Sequence, residues 1–191
     1  MVRPRSFDPE AVLEIAREIF WTKGFQRTSL DDITSATNLT KPSLYAAFGD
    51  KNALFLQVLD RYHVMLVARA ERKLAGGPSA REAIAGWLEG FVPSCSGSRG
   101  VRGCLSINAA TDGVLDQTEI RDSIAQFNAR LEELIRLRLE ADRRQFSKDF
   151  DPKAAAFFIM TVYNGLMVMA RQMPRPDSVK NTIAWAVTIL A

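Results

Sequence analysis

The sequence predicts an all-α protein in two parts, and three observations carry that reading. Apolar residues recur at helical spacing along almost the whole chain, and no β-type alternation longer than a few residues competes. Gly76-Gly77-Pro78 makes the clearest break. Two short helical patterns meet at a tight turn around Asn38, directly after a longer amphipathic helix. The expected division is a unit at 1–50, continuing into a helix at 51–74, and a second unit at 51–191.

In chain order, Val12, Ile15, Ala16, Ile19 and Phe20 form one apolar face and predict a helix over 9–23. Asp8 can cap it, Pro9 suits its first turn, and Gly24 suits its end. A short helix follows at 29–36, capped by Thr28 or Ser29, with Leu30 and Ile33 facing inward. Asn38 tolerates the left-handed conformation that a tight turn needs. A second short helix runs over 41–48 with Thr40 as cap and Gly49 at its end. Asp50 opens a long helix at 51–74. Beyond the Gly-Gly-Pro break, Ile84, Trp87, Leu88 and Phe91 predict a helix at 79–92, and residues 93–103 read as a basic loop. Helices follow at 104–111 and 118–144, the latter on the spacing of Ile120, Ile124, Phe127, Leu131 and Leu134. Asp151-Pro152 opens another to Arg171, Pro174 and Pro176 break it, and a last helix runs over 178–190.

Composition is ordinary for a globular protein: 47% hydrophobic and 25% charged over 191 residues. The net charge of +3 is compatible with nucleic acid without establishing it. Residues 1–62 carry eight Lys/Arg and eight Asp/Glu, so any nucleic-acid argument rests on where the charges sit. The first residues lead into a polar, periodic helix rather than a secretory apolar stretch, and a cytoplasmic protein with reduced thiols is expected. The run Ala154–Ala170 contains Thr161, Asn164 and Gly165 and reads as a buried helix rather than a bilayer crossing.

The short second helix of a helix-turn-helix must fit a DNA major groove, so its exposed N-terminal side chains must be small or hydrogen-bonding. Residues 40–48, TKPSLYAAF, meet that need. Leu44 and Phe48, four apart, anchor the helix, and Ala46 and Ala47 keep the remaining surface slim. The wider segment 28–54, TSLDDITSATNLTKPSLYAAFGDKNAL, resembles the DNA-binding module of the TetR family of bacterial regulators. Thr28, Ile33, Leu39, Leu44, Tyr45, Phe48 and Lys51 stand at the matching positions, and Phe20 and Lys23-Gly24-Phe25 match the end of the preceding helix. Asn38 replaces the usual turn glycine. The resemblance implies phosphate contacts for Tyr45, Lys51 and Thr28, and base-edge contacts for Lys41, Pro42 and Ser43 beside the cap Thr40. Arg3 and Arg5 resemble a basic arm able to enter the minor groove. The alternatives are a packed core tyrosine at Tyr45, solvated charges at Lys41 and Lys51, and an unstructured tail.

Resemblance in the second unit is confined to helix count and the stretch from Arg102-Gly103-Cys104-Leu105 to Asn108-Ala109-Ala110. It implies a helical body that dimerises and holds a small-molecule inducer, with 153–171 and 178–190 as the pairing helices. Helix 153–171 is apolar nearly all round, which demands burial on more than one side. Trp87, Phe91, Cys104, Asn108, Phe127, Phe158 and Tyr163, with Met160 and Met167, are candidates for the ligand pocket or simply for the core. Asn108 and Asn164 can orient a ligand or bond backbone. Cys95 and Cys104, near Arg99 and Arg102, allow a redox role, and His63 reads as a surface residue at the junction. No phosphate loop, nucleophile motif or metal spacing is present, so no catalytic residue, metal or cofactor is expected. The expected function is a ligand-responsive repressor that binds a palindromic DNA operator as a homodimer.

Overall fold

The computed structural model describes residues 7–93, 102–172 and 175–190. Among them there are nine α-helices and no strands. They are α1 (Pro9–Lys23), α2 (Leu30–Thr37), α3 (Lys41–Phe48), α4 (Lys51–Leu74), α5 (Ala80–Glu89), α6 (Leu105–Thr111), α7 (Thr118–Ala141), α8 (Pro152–Ala170) and α9 (Pro176–Ala186). Single 3-10 turns cover Val114–Asp116, Arg143–Gln145 and Val187–Leu190.

Local chemistry explains the first four helices. Asp8 accepts from the Glu10 N–H, Thr40 from the Ser43 N–H and Asp50 from the Ala53 N–H, each satisfying a donor the helix start leaves open. Of the two candidates ahead of α2 the cap is Ser29, in a reciprocal capping box with Asp32. Asn38 sits at φ 55°, the left-handed geometry that the α2–α3 turn requires.

Several helix ends differ from the sequence reading: α5 stops at Glu89 rather than 92, and α9 at Ala186 rather than 190, with a 3-10 turn after it. α7 stops at Ala141 and passes into a 3-10 turn, and the Asp142 carboxylate at this end accepts from the Ala80 N–H at the start of α5. α9 begins at Pro176 rather than 178, since proline in a first helical turn forfeits no hydrogen bond.

α1, α2, α3 and the start of α4 enclose a small core. Phe20, Phe25 and Phe55 are its centre, with ring centroids 4.8–6.0 Å apart, and Ile33, Leu44 and Leu54 are wholly buried around them. α4 then continues into the body, where it packs on α5 and α7, and α7 packs on α8. Its 24 residues make a rod of about 36 Å that belongs to both parts.

α8 has the length and composition of a membrane crossing, but its two faces differ. Ala155, Ala156, Ile159, Met160, Tyr163, Leu166, Met167 and Ala170 are buried in the body. Phe157, Phe158, Val168 and Met169 face outward, and Trp185 (77% exposed) and Ile189 extend this apolar surface beside α8. Phe158 therefore stands on the outer face and not in a pocket, because helical phase sets it in line with the exposed Thr161, Gly165 and Met169.

Candidate nucleic-acid interface

Leu44 and Phe48 bury one side of α3. This turns Lys41, Pro42, Tyr45 and Ala46 to solvent, with Ser43 at the margin. Tyr45 is 51% exposed, which excludes a packed core tyrosine and leaves its ring and hydroxyl available. Thr40 and Ser43 are joined hydroxyl to hydroxyl at 2.9 Å, so both first-turn hydroxyls are held in place while remaining at the surface. The Lys41 ammonium reaches back to Asp31 of α2 at 2.8 Å, and this contact raises its pKa. Both groups are more than half exposed, so the pair is weak and exchangeable. Lys23 likewise pairs with Asp32, whose carboxyl is pulled down to about 2 by that ammonium and by the main-chain and side-chain donors of Ser29.

Lys51 opens α4, three residues after Phe48 ends α3. Its ammonium lies 4.4 Å from the centre of the Phe25 ring and donates to the Gln26 carbonyl at 3.4 Å. Burial of its stem lowers its pKa, partly offset by the Asp112 carboxylate. Thr28 is placed differently from the sequence expectation. It is 2% exposed, and its hydroxyl donates to the Gly24 carbonyl at 2.7 Å, so it buttresses the loop instead of offering a phosphate contact from its side chain. Capping by the neighbouring Ser29 leaves Thr28 to turn inward. Arg3 and Arg5 lie outside the described residues.

Sequence reasoning missed the contacts that seat this surface on the body. Asp112, after α6, accepts from the Gln26 main-chain N–H at 3.2 Å. The Trp21 indole N–H donates to the Arg102 carbonyl at 3.1 Å, and the Arg102 guanidinium pairs with Glu18. That pairing holds the Glu18 carboxyl below its ordinary range. These partners are more than 80 positions apart in sequence, so no local pattern signals them.

In the body, Trp87, Phe91 and Tyr163 pack on one another, with centroids 5.0–5.6 Å apart. The Tyr62 and Tyr163 hydroxyls both donate to the Cys104 sulfur at 3.6 Å, and burial pushes both phenols well up. Trp87, Phe91, Cys104 and Tyr163 thus fill the core, as do Met160 and Met167. Asn108 donates to the Arg102 carbonyl at 2.6 Å and borders a crevice of about 30 Å³. The Asn164 carbonyl oxygen is buried with no hydrogen-bond partner among the described residues. Cys95 and Arg99 lie outside the described residues.

His63 is not a surface residue. It is 7% exposed, and its ring stacks on Phe127 with centroids 4.3 Å apart. Ser123 donates to Asp60 at 3.0 Å, so its oxygen is left to accept from His63 Nδ1 at 3.3 Å. The Ser106 hydroxyl then donates to Nε2 at 2.6 Å. Desolvation lowers the imidazole pKa to about 4.

A short helix presented outward on buried anchors, next to a second short helix across a tight left-handed turn, is the helix-turn-helix of DNA-binding proteins. The model of the family described as bacterial regulatory proteins, tetR family, matches residues 12–58. A second, the tetracyclin repressor-like C-terminal domain, matches 80–185, and this chain belongs to that family of transcriptional regulators. It is 30% identical to the HTH-type transcriptional repressor ComR of Escherichia coli (strain K12) over 173 residues, covering 89% of this chain and 82% of ComR. It is 45% identical to the HTH-type transcriptional repressor BdcR of the same strain over 60 residues, covering 31% and 30%. A structure of a cysteine mutant of the TetR family regulator CifR, complexed with 26-bp double-strand operator DNA, superposes with a TM-score of 0.87. Its sequence is 33% identical, and the match covers 97% of this chain and 98% of CifR.

Proposed function

We propose that this protein is a cytoplasmic, homodimeric repressor that releases its operator when a small molecule binds the body. The observation that carries the reading is the outward face of α3, with Lys41, Pro42 and Tyr45 on a helix pinned by Leu44 and Phe48, and Lys51 alongside. In this reading Tyr45 and Lys51 contact phosphate and set register, while Lys41, Pro42 and Ser43 meet base edges. ComR is named as a repressor and CifR was captured on its operator, which supports the assignment. The units are a DNA-binding part over 1–50 and a sensing and dimerising part over 51–191.

The outer stripe of α8 (Phe157, Phe158, Thr161, Gly165, Val168, Met169) and the Trp185 and Ile189 surface supply the dimer contact. The stripe follows one helical face, and Gly165 has nothing within 4 Å of where a Cβ would stand. A second copy seated there would pair two α3 helices on half-sites about one helical turn apart, ~34–36 Å. Fluorescence anisotropy tests the function. DNA from upstream of the protein's own gene should bind on the order of a thousandfold more tightly than scrambled DNA of equal composition. Equal, weak binding of both fragments would overturn it.

A further inference from the structure

Trp87, Phe91, Cys104 and Tyr163 are packed core, but a groove of about 450 Å³ opens between α4 and α7. Its apolar lining comes from Val64, Val67, Ala68 and Phe127. Val64 is 70% exposed and forms its lip. At one end stands Asp60, one of whose oxygens takes the Ser123 hydroxyl, with His63 below, stacked on Phe127. At the other end stands Glu71, whose charge is answered by Arg130 at 2.7 Å.

The lining contains two carboxylates and neither lysine nor arginine. No ion pair to Asp60 is found among the described residues, and the neighbouring imidazole is neutral at physiological pH. The groove therefore has an apolar bed with one uncompensated negative charge at the end nearer the DNA-binding helices. We propose that it binds an organic monocation, an apolar or aromatic body carrying a single ammonium group, with the ammonium on Asp60 and the body along Val64, Val67 and Phe127. Asp60 lies nine positions along the same helix from Lys51. A ligand wedged between α4 and α7 thus acts on the element that sets the operator-facing residues, provided its affinity differs between the two conformations. This extends the regulator reading above by naming the site and chemical class of the effector.

The test uses naphthylmethylammonium and the similarly shaped anion naphthoate, titrated calorimetrically into the full-length protein, with operator anisotropy on the same samples. The ammonium should bind saturably and the carboxylate about tenfold more weakly or worse. Asp60→Asn should cost the ammonium roughly three- to fivefold, the range of a partly exposed ion pair. Val64→Lys, at a position open to solvent, places a cation at the lip and should weaken the ammonium at least as much. Absent saturable ammonium binding, or equal binding of both probes, or affinity indifferent to both substitutions, would overturn the proposal. Operator binding by the unliganded protein separates the two readings: its presence without ammonium binding removes only the groove assignment, and its absence removes the regulator itself.

Discussion

Asp112 accepts the main-chain N–H of Gln26 at 3.2 Å, tying the end of α6 to the loop ahead of α2. The same carboxylate contributes to the field around the Lys51 ammonium, and that ammonium bonds the Gln26 carbonyl. One short loop thus joins the body to the cation that opens α4, beside α4 itself as the covalent link.

Gly24 measures how tightly that joint is built. It adopts φ +83°, and a Cβ there would stand 2.7 Å from the Asp112 Oδ2. Gly24→Ala should destabilise the protein by about 1–3 kcal/mol, from the left-handed backbone and the clash together. Adding Asp112→Ala should recover the clash but not the backbone cost, so urea denaturation of the two single variants and the double should show non-additivity. Additive losses would mean that the two residues do not meet.

Lys51 should report phosphate contact through salt. In Lys51→Ala the slope of log affinity against log salt should flatten by about one unit. An unchanged slope would leave Lys51 as a local support for Phe25 and Gln26 only.

Asp31 restrains Lys41 before DNA arrives. Asp31→Asn removes a negative charge from the approach surface and frees the ammonium. Affinity should rise by roughly two- to fivefold for operator and scrambled DNA alike, read by anisotropy at fixed salt. A fall in operator affinity would instead make Asp31 a positioning residue for α3.

His63 couples stability to pH. Burial lowers its pKa from the ordinary 6.5 to about 4, so between these values the unfolded chain binds the proton and the folded one does not. Its contribution is fully present above pH 6.5 and is lost as pH falls toward 4, amounting to about 2 kcal/mol between pH 7 and pH 5. Asp60 lies across Ser123 from the ring, and the Tyr62 ring stands 6.3 Å from it between centroids. His63→Gln should flatten the stability profile over this window in denaturant titrations. Parallel profiles would place the pH dependence elsewhere.

Trp185 tests the subunit contact. It is 77% exposed, so Trp185→Arg should leave the fold intact while shifting sedimentation from dimer to monomer and weakening operator binding. A variant that sediments as a dimer would move the interface off this surface.

Much of the fold was legible because its causes are local. Asp8, Ser29, Thr40 and Asp50 cap helices through atoms two or three residues away, and Asn38 occupies the left-handed region by its own backbone tolerance. Leu44 and Phe48 set the phase of α3, which places Lys41 and Tyr45 outward before any tertiary contact is known. Periodicity says that a residue is on the inner face, but not whether the space it meets is filled. Trp87, Phe91 and Tyr163 look the same in sequence whether they close on one another or line a cavity, and in the tertiary structure they close. His63 stands near the edge of its helix's apolar face, and only the arrival of Ser106, Ser123 and Phe127 from α6 and α7 buries and neutralises it. The helices, the caps Asp8, Thr40 and Asp50 and the outward face of α3 were readable in the chain, because these depend on neighbours within one helical turn. The Asp112–Gln26 tie and the Asp60 groove came only with the tertiary structure, because each depends on which helices pack together.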